Sequence, residues 1–397
     1  MKYHRVLVEA VVGAITDIFE TGRKADRVIE FVLKSDKRWG ARDRAFVAEN
    51  VYEMVRWWRL LEFVTPDPHG YWARFAAWQI LKGHTLPDWP EFKDTNPDRI
   101  KKRQAEAQKI RKIKESIPDW LDAVGEAELG QNWNTELSAL NQTAPVVLRT
   151  NTLKINVLEL QAQLQTVDIL SHLLPQIPDA LVLTEKKNVF QTTFFKEGFF
   201  EVQDAGSQAI APFLGVQPGM RVIDACAGAG GKTLHLAALM QNKGQLIAMD
   251  IEDWKLQELR RRTRRNGVGN VETRLIEAKT IKRLRATADR VLLDVPCTGL
   301  GVLRRNPDTK WKLQPAFLEQ IKQTQYEILE NYSQMVKPSG KLVYATCSIL
   351  PSESEWQVQR FLQQQGSKWQ LLAEQRTSPA QDGFDGFYMA CLQKNTD

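Results

Sequence analysis

The strongest constraint on the fold is a regular alternation of short apolar segments and amphipathic segments that begins near residue 206. The apolar segments have the length of buried strands, and the amphipathic segments have helical spacing. The segments typical of strands are RVIDAC, GQLIAMDI, VETRLIEA, ADRVLLDVP and GKLVYATCS. The segment PAFLEQIKQTQYEILENYSQMVKPSG predicts a long helix that ends at its Pro-Ser-Gly. Such alternation predicts a doubly wound parallel sheet with helices on both faces. No helix separates the last two predicted strands, WQLLAEQ and GFYMACLQK, so we place them as an antiparallel pair at one edge.

The chain before this alternation has two regions with different patterns of apolar residues. Residues 1–130 carry apolar side chains at helical spacing, which predicts an all-helical domain. Residues 140–205 mix strand and helix patterns, which predicts a small α/β unit ahead of the sheet domain at 206–397. Within this unit, the segment DALVLTEKKNVFQTTFFKEGFFEVQD alternates in the manner of paired strands joined by turns. Within the helical region, Lys101–Lys114 contains seven basic residues and one acidic residue, Glu106. This run is either a solvated helix face or a surface that meets phosphate.

Charge and composition limit the functional classes. The 397 residues carry a net charge of +6 and a pI of about 9.0, which is compatible with a nucleic-acid partner but does not establish one. We expect no membrane span, because no apolar run is long enough, and Glu9 and Asp17 interrupt the N-terminal segment that resembles a signal peptide. The four cysteines are widely spaced, and the five histidines form no ligand pattern with them. We therefore expect reduced thiols, no metal site and a cytoplasmic protein.

The stretch DACAGAGGKT, residues 224–233, follows the first predicted strand of the sheet domain. Its end resembles a phosphate-binding P-loop, but that motif requires glycine at the position of Cys226. The acids at the ends of the first four predicted strands are Asp224, Asp250, Glu277 and Asp294. A row of carboxylates repels phosphate and suits a ligand with ribose hydroxyls and amines. The pattern therefore favours S-adenosylmethionine as the cofactor over NAD or ATP.

Two cysteines follow neighbouring strands of the predicted sheet. Cys297 comes just after the fourth strand in DVPC, and Cys347 ends the fifth strand in ATCS. One interpretation is a pair of buried structural cysteines, since free cysteine is among the most buried residue types. The other is covalent catalysis, because a thiolate that adds to carbon 6 of cytosine makes carbon 5 nucleophilic enough to accept a methyl group. A second thiol can then assist release of the product. Two thiols at the cofactor edge favour the catalytic interpretation.

Several motifs together resemble those of the NOL/NOP/Sun (NSUN-type) RNA cytosine-5 methyltransferases over residues 140–397. They are FFEVQDAGSQ, DACAGAGGKT, AMDI, DVPCTGLGVLRRNPDTKW, YATCSILPSESE and DGFDGFYMACL. The resemblance implies a class I (Rossmann-like) methyltransferase fold, with Cys347 as the nucleophile and Cys297 assisting product release. The cofactor contacts that it implies are Cys226, Ala227, Gly228, Ala229, Gly230, Gly231, Lys232, Asp250, Glu277 and Asp294. Of these, Lys232 and Asp294 are also expected to reach the target base.

The chain departs from the usual family pattern at two places. The family loop usually reads Ala-Ala-Pro-Gly-Gly-Lys, whereas this chain has Gly228 and Ala229 in the middle of that motif. Loss of the proline is expected to loosen the turn, and Gly228 is the residue that can preserve its shape. The acid after the third strand is usually Asp, and here it is the longer Glu277.

The helical region resembles the NusB-like RNA-binding domain of the bacterial 16S ribosomal RNA methyltransferases, chiefly in GARDRAFVAENVYEMVRW. Ribosomal RNA is therefore the expected substrate of a monomeric enzyme. Transfer RNA is an alternative substrate, and a non-catalytic ribosome-assembly factor is an alternative function. On the loop after Cys297, Arg304 and Arg305 are the candidate contacts to RNA phosphate, and Trp311 could stack on a base or pack internally. The arginine run at 260–265 is either a phosphate contact or a solvated face.

Overall fold

The computed structural model describes residues 3–67 and 69–396. The chain forms two compact units, and each unit is assembled from two separate stretches of sequence. The helical unit comprises the chain up to Gln142 together with Leu303–Pro315. The sheet unit comprises Thr143–Val302 together with the chain from Ala316 onward. Among the described residues, no helix has the length and apolar character needed to cross a membrane.

The helical unit follows from apolar residues that recur at intervals of three and four. The helices in its N-terminal stretch are α1 (Arg5–Glu20), α2 (Ala25–Ser35), α3 (Ala41–Arg56), α4 (Trp58–Val64), α5 (Tyr71–Leu81), α6 (Pro97–Ala107), α7 (Arg111–Lys114), α8 (Asp119–Leu129) and α9 (Trp133–Leu140). In α1, for example, Val8, Val11, Ile15 and Ile18 lie on one face and are buried. They share one core with Val51 of α3 and with apolar residues of α5.

The sheet unit begins with a small antiparallel sheet. Its strands are β1 (Val147–Thr150), β2 (Ser171–Leu173), β3 (Ala180–Leu183) and β4 (Phe200–Val202), and the helices beside them are α10 (Val157–Gln165) and α11 (Thr193–Lys196). The sequence suggests that the segments corresponding to β3 and β4 pair with each other, but this is wrong. The strand order is β2-β3-β1-β4, so both segments pair with β1, which is buried along its whole length.

A seven-stranded sheet forms the rest of the sheet unit. Its strands are β5 (Arg221–Asp224), β6 (Gln245–Asp250), β7 (Val271–Leu275), β8 (Ala288–Asp294), β9 (Val336–Thr346), β10 (Trp369–Thr377) and β11 (Phe387–Lys394). The order is β10-β11-β9-β8-β5-β6-β7, with β5 to β9 parallel and β11 antiparallel to both of its neighbours. The doubly wound sheet and the antiparallel pair at its edge are thus confirmed.

The remaining helices complete the chain. They are α12 (Ala205–Phe213), α13 (Gly231–Leu239), α14 (Asp253–Asn266), α15 (Thr280–Arg283), α16 (Thr309–Lys312), α17 (Pro315–Tyr332) and α18 (Glu355–Gln365). One predicted boundary is wrong. The sequence ends the long helix α17 at the Pro-Ser-Gly of residues 338–340, but the helix ends at Tyr332 and these residues lie within β9. Ser339 turns the chain there with a positive φ of 60°.

The segment Leu303–Pro315 belongs to the helical unit although it follows the fourth strand of the large sheet in the chain. Asp308 accepts a hydrogen bond at Oδ2 from the backbone N of Ala25, the first residue of α2, at 3.0 Å. Lys312 donates from Nζ to Asp308 at 2.5 Å and to the carbonyl of Arg23 at 2.7 Å. A side chain distant in sequence therefore caps the N-terminus of α2, where backbone N–H groups lack helical partners.

Two more side chains of this segment bond and pack within the helical unit. Lys310 is 2% exposed, its Nζ donates to Asn141 Oδ1 at 3.3 Å, and burial lowers its pKa well below the usual value. Trp311 donates from Nε1 to the carbonyl of Val55 at 2.7 Å and packs against the helical core. Of the two roles that the sequence leaves open for Trp311, the internal packing role is the one observed.

Replacing Asp308 with Ala is expected to destabilise the helical unit by about 1 kcal/mol, the usual cost of losing a helix cap. The matched control is Asp94→Ala, which removes a carboxylate from an exposed turn of the same unit and is expected to change stability by less than about 0.5 kcal/mol. Urea unfolding followed by tryptophan fluorescence measures both. Equal stabilities of the two variants would contradict the capping role.

Candidate active site

The candidate active site lies at the carboxyl ends of the parallel strands β5, β8 and β9. The register pairs Asp224 of β5 with Leu292 of β8, and Asp294 of β8 with Ala345 of β9. The strand order reverses between β5 and β8, and ligands of open α/β sheets bind at such a switch point. Residues that follow Asp224, Asp294 and Thr346 in the chain therefore gather at one edge of the sheet.

Asp224 is a buried acid at the end of β5. Its side chain is 1% exposed, and Oδ2 accepts a hydrogen bond from Thr233 Oγ1 at 2.7 Å. Burial raises the pKa of Asp224 to about 7. Because Thr233 lies in the first turn of α13, this bond ties the two ends of the glycine-rich loop at residues 225–230 together.

The glycine-rich loop turns at two glycines with left-handed backbone angles. Gly228 has a φ of +53° and donates its backbone N–H to Asp250 Oδ2 at 2.9 Å. Gly230 has a φ of +89°, and a Cβ added there would lie 2.0 Å from Leu259 Cδ1. Glycine is the residue that adopts such left-handed angles without strain. The shape therefore depends on two glycines and on the carboxylate of Asp250.

Two arginines hold carbonyl groups in this loop and directly after it. Arg262 on α14 donates from Nη1 to the carbonyl of Ala229 at 2.8 Å. Arg149 on β1 donates from Nη1 to the carbonyl of Gly231 at 2.5 Å. Arg149 is 2% exposed, and burial lowers its pKa to about 10. The loop is thus fixed by charged side chains that lie outside it in the sequence.

Glu201 on β4 anchors part of the arginine run. It is 3% exposed and contacts Arg262 Nη2 at 3.0 Å and Arg265 Nη2 at 2.5 Å. Burial by itself would raise the pKa of Glu201, but the two guanidinium groups outweigh it and lower the pKa. Arg262 and Arg265 have neither of the roles that the sequence leaves open for the run, because both partly exposed side chains are paired with the buried carboxylate of Glu201.

Lys232 and Asp294 form an ion pair at the switch point, with Nζ 2.6 Å from Oδ2. Burial alone would lower the pKa of Lys232, but the adjacent carboxylate of Asp294 raises it, so the ammonium form is maintained. Cys226 lies nearby in the loop, and burial together with the carboxylates around it raises the pKa of its thiol. The residues from Cys226 to Lys232 therefore lie beside the acids of β5 and β8.

The two cysteines at the ends of β8 and β9 are brought together, with Cys297 Sγ 3.2 Å from Cys347 Sγ. The hydrogen bond with Cys347, followed by burial, raises the pKa of Cys297 well above its usual value. Either sulfur can be the donor of this hydrogen bond. The structure therefore brings the two thiols together, and the division of roles between them stays a prediction.

The remaining predicted site residues are Glu277, Arg304 and Arg305. Glu277 is exposed just beyond β7, next to Ile276, whose backbone N donates to the carbonyl of Asp250 at 3.0 Å. Arg304 and Arg305 belong to the helical unit, where Arg304 is 8% exposed and Arg305 is half-buried. Their contact with RNA stays a prediction, and the greater exposure of Arg305 makes it the better candidate. Among the described residues, no group of three or more His, Cys, Asp or Glu side chains is arranged to hold a metal ion.

Sequence reasoning missed the supports of the loop, Arg149 and Glu201. Each is a charged residue within an otherwise apolar strand, in VVLRT and FFEV. A charge at such a position signals a buried partner, because an isolated charge is costly to bury. The sequence does not identify the partner, since Glu201 and Arg262 are far apart in the chain.

Two known families match the chain by sequence. The family described as 16S rRNA methyltransferase RsmB/F matches residues 211–393, which include the glycine loop, the acids and both cysteines. A family described as the ferredoxin-like domain of RsmF/B-like methyltransferases matches residues 117–190.

Individual relatives extend these matches. A protein of Synechocystis sp. described as "probable ribosomal RNA small subunit methyltransferase B" is 37% identical over 268 residues, which cover 66% of this chain and 60% of that protein. The ribosomal RNA small subunit methyltransferase B of Shewanella oneidensis is 33% identical over 299 residues, which cover 71% of this chain and 68% of that protein. The chain thus spans 60% to 68% of the length of these two relatives. The crystal structure of PH0851 is similar over 99% of this chain and 100% of its own, with a TM-score of 0.84 at 25% identity.

The thiol pair generates a prediction about pH. Alkylation by iodoacetamide proceeds through the thiolate, so Cys297 is expected to react with a midpoint above the usual thiol pKa of about 8.5. Cys347→Ala removes the principal cause of the raised pKa and is expected to move this midpoint to lower pH. Mass spectrometry of the Cys297 peptide over a pH series measures the shift. Cys391→Ala, in β11, is the control that leaves the midpoint unchanged, and an unchanged midpoint in Cys347→Ala would contradict the assignment.

Proposed function

Because the chain belongs to the RsmB/F family of 16S ribosomal RNA methyltransferases, we propose that it methylates carbon 5 of a cytosine in the RNA of the small ribosomal subunit. The observation that carries this proposal is the pair of thiols, Cys297 and Cys347, 3.2 Å apart at the switch point of the sheet. Methylation of cytosine at carbon 5 requires a thiol nucleophile, since carbon 5 is otherwise too weakly nucleophilic.

The glycine loop and its acids fit S-adenosylmethionine as the methyl donor. A Cβ built on Gly228 or Gly231 meets no atom within 4 Å, so the backbone is open to a ligand at both positions. Asp250 offers a carboxylate at the end of β6, where ribose hydroxyls bind in folds of this type. The cofactor supplies an electrophilic methyl group. The residues that would hold it are Cys226, Ala227, Gly228, Ala229, Gly230, Gly231, Lys232, Asp250, Glu277 and Asp294.

The thiols divide the chemistry between them. The Cys347 thiolate adds to carbon 6 of cytosine, and the electrons of the ring double bond make carbon 5 the nucleophile that accepts the methyl group. Carbon 5 then gives its proton to the Cys297 thiolate, and the electrons of that C–H bond re-form the double bond between carbons 5 and 6. The bond between Cys347 Sγ and carbon 6 breaks in the same step with its electrons returning to sulfur, so Cys297 assists release as the base. The ion pair of Lys232 and Asp294 lies at the same edge and offers a donor and an acceptor to the polar edge of the base.

RNA is the proposed partner, and the helical unit is the proposed NusB-like RNA-binding part. Lys101, Lys102 and Lys109 in and after α6 are exposed, and the structure gives them no ion pair within residues 3–67 and 69–396. Arg111 and Lys112, by contrast, contact acidic residues of α8. Exposed basic side chains suit contacts with RNA phosphate, which position a substrate without reading its sequence. We also propose that residues 1–130, 140–205 and 206–397 act as three domains of a cytoplasmic monomer.

Methyl transfer tests the proposed reaction. With radiolabelled S-adenosylmethionine and 16S ribosomal RNA, we expect label in 5-methylcytosine, and we expect Cys347→Ala to abolish it because the nucleophile is lost. Cys391→Ala is the matched control and is expected to retain activity.

Bisulfite sequencing of RNA from a deletion strain should reveal a lost site. If no 5-methylcytosine is lost from ribosomal RNA, the proposal is contradicted. If 5-methylcytosine is lost from transfer RNA instead, transfer RNA is the substrate.

Covalent trapping separates the roles of the two thiols. Cys297→Ala is expected to accumulate a protein–RNA adduct that survives a denaturing gel, because addition proceeds and release is slowed. Cys347→Ala is expected to form no adduct. Cys391→Ala, tested in parallel, should resemble the wild-type protein. An adduct in Cys347→Ala and none in Cys297→Ala would reverse the assignment.

A further inference from the structure

The carboxylate of Glu353 lies buried between the two loops that carry the cysteines. Glu353 ends the short turn Pro351–Glu353 before α18 and is 0% exposed. Its backbone carbonyl accepts a hydrogen bond from Tyr344 Oη on β9 at 2.7 Å, which fixes the residue against the sheet. The sequence suggests only a helix start at this point, in the run SESEW.

The side chain of Glu353 binds the residues adjacent to both cysteines. On the Cys297 side, Thr298 donates its backbone N–H to Oε1 at 2.8 Å and its hydroxyl to Oε2 at 2.5 Å. On the Cys347 side, the Ser348 hydroxyl donates to the same Oε2. One carboxylate therefore spans the two loops.

A second side chain reinforces this link. Gln325 on α17 donates from Nε2 to Glu353 Oε1 at 3.0 Å and to the carbonyl of Pro296 at 2.9 Å. The residues on both sides of Cys297 are thus held, Pro296 through Gln325 and Thr298 through Glu353. Both oxygens of the carboxylate accept hydrogen bonds, which offsets the cost of burying its charge.

We infer that Glu353 is a positioning residue that holds the Cys297 and Cys347 loops in register for the methyl transfer proposed above, on which this inference rests. Its carboxylate bonds the neighbours of the cysteines and acts through them. Glu353→Gln keeps size and shape, but its NH₂ group cannot accept the hydrogen bonds that the Thr298 and Ser348 hydroxyls donate to Oε2, and the charge that strengthens those bonds is lost. A displacement of reacting groups by about 1 Å can lower a rate by about a hundredfold.

The proximity of the thiols can be measured without RNA. In a background in which Cys226 and Cys391 are replaced by Ser, diamide oxidises the two remaining thiols to a disulfide and is itself reduced to the hydrazine. Because disulfide formation demands close and specific geometry, Glu353→Gln is expected to slow it by about tenfold. Glu374→Gln, an exposed glutamate on β10, is the matched control and is expected to react at the wild-type rate. A wild-type rate in Glu353→Gln would overturn the inference.

A pH series gives a readout that a general loss of structure does not explain. The negative charge of Glu353 contributes to the raised pKa of Cys297, after the hydrogen bond with Cys347 and burial. In the same background, Glu353→Gln is expected to lower the midpoint for alkylation of Cys297 while the thermal unfolding temperature stays near that of Glu374→Gln. A midpoint equal to that of the control would count against the inference.

Single-turnover methylation then separates this inference from the proposed function. With the native cysteines restored, Glu353→Gln is expected to lower the single-turnover rate constant for methylation by about 10- to 100-fold. The RNA concentration that gives half of the maximal rate is expected to stay unchanged. If the wild-type protein methylates RNA and Glu353→Gln does so equally fast, the role of Glu353 fails alone. If the wild-type protein methylates no RNA, the proposed function fails, and the disulfide rates still decide whether Glu353 positions the thiols.

A second variant covers the case in which Glu353→Gln does not fold. The double variant Thr298→Val and Ser348→Ala removes the two hydroxyl donors and leaves the carboxylate with the Thr298 N–H and Gln325. It is expected to slow disulfide formation in the same direction, by about tenfold. Disulfide formation at the wild-type rate in this double variant would overturn the inference.

Discussion

The parallel pairing of β8 with β9 is the constraint on which the rest of the site depends. The pairing sets Asp294 opposite Ala345, and from these positions the chain continues for only a few residues to Cys297 and Cys347. A shift of the register by one residue would move every side chain of one strand to the other face of the sheet. The two sulfurs at 3.2 Å are therefore a consequence of strand register as much as of the loops themselves.

Buried charge around this edge is balanced by local partners. Glu201 meets Arg262 and Arg265, Lys232 meets Asp294, and Glu353 accepts hydrogen bonds from Thr298, Ser348 and Gln325. A buried charge without such partners would cost several kcal/mol. These contacts also fix the positions of the side chains, because ionic and charge-assisted hydrogen bonds favour a particular distance and direction. The glycine loop is held by Arg149 of β1, Arg262 of α14 and Asp250 of β6, and Glu201 of β4 pairs with Arg262.

The helical unit contains a segment that is distant in sequence from the rest of the unit. Its N-terminal helices follow from apolar periodicity, but the unit is completed by Leu303–Pro315, a segment that emerges from the loop after Cys297. Asp308 caps α2, and Trp311 bonds the carbonyl of Val55. Nothing in the local pattern of this segment indicates these partners, because a cap and an indole hydrogen bond can be satisfied by any suitable neighbour. For the same reason the burial of Arg304 could not be foreseen.

The sequence by itself determined the doubly wound sheet, its antiparallel edge pair and the location of the cysteines and acids at the strand ends, because these follow from short-range periodicity and from the rule that parallel strands end at one edge. It misjudged the partners of β3 and β4 and the end of α17, where pairing with distant segments overrode local signals. Only the tertiary structure decided that Arg149, Arg262 and Glu201 support the glycine loop and that Glu353 joins the two cysteine loops. Those links connect residues far apart in the chain. Burying a charged group is costly unless a partner lies beside it, and which partner lies there is decided only when the chain folds.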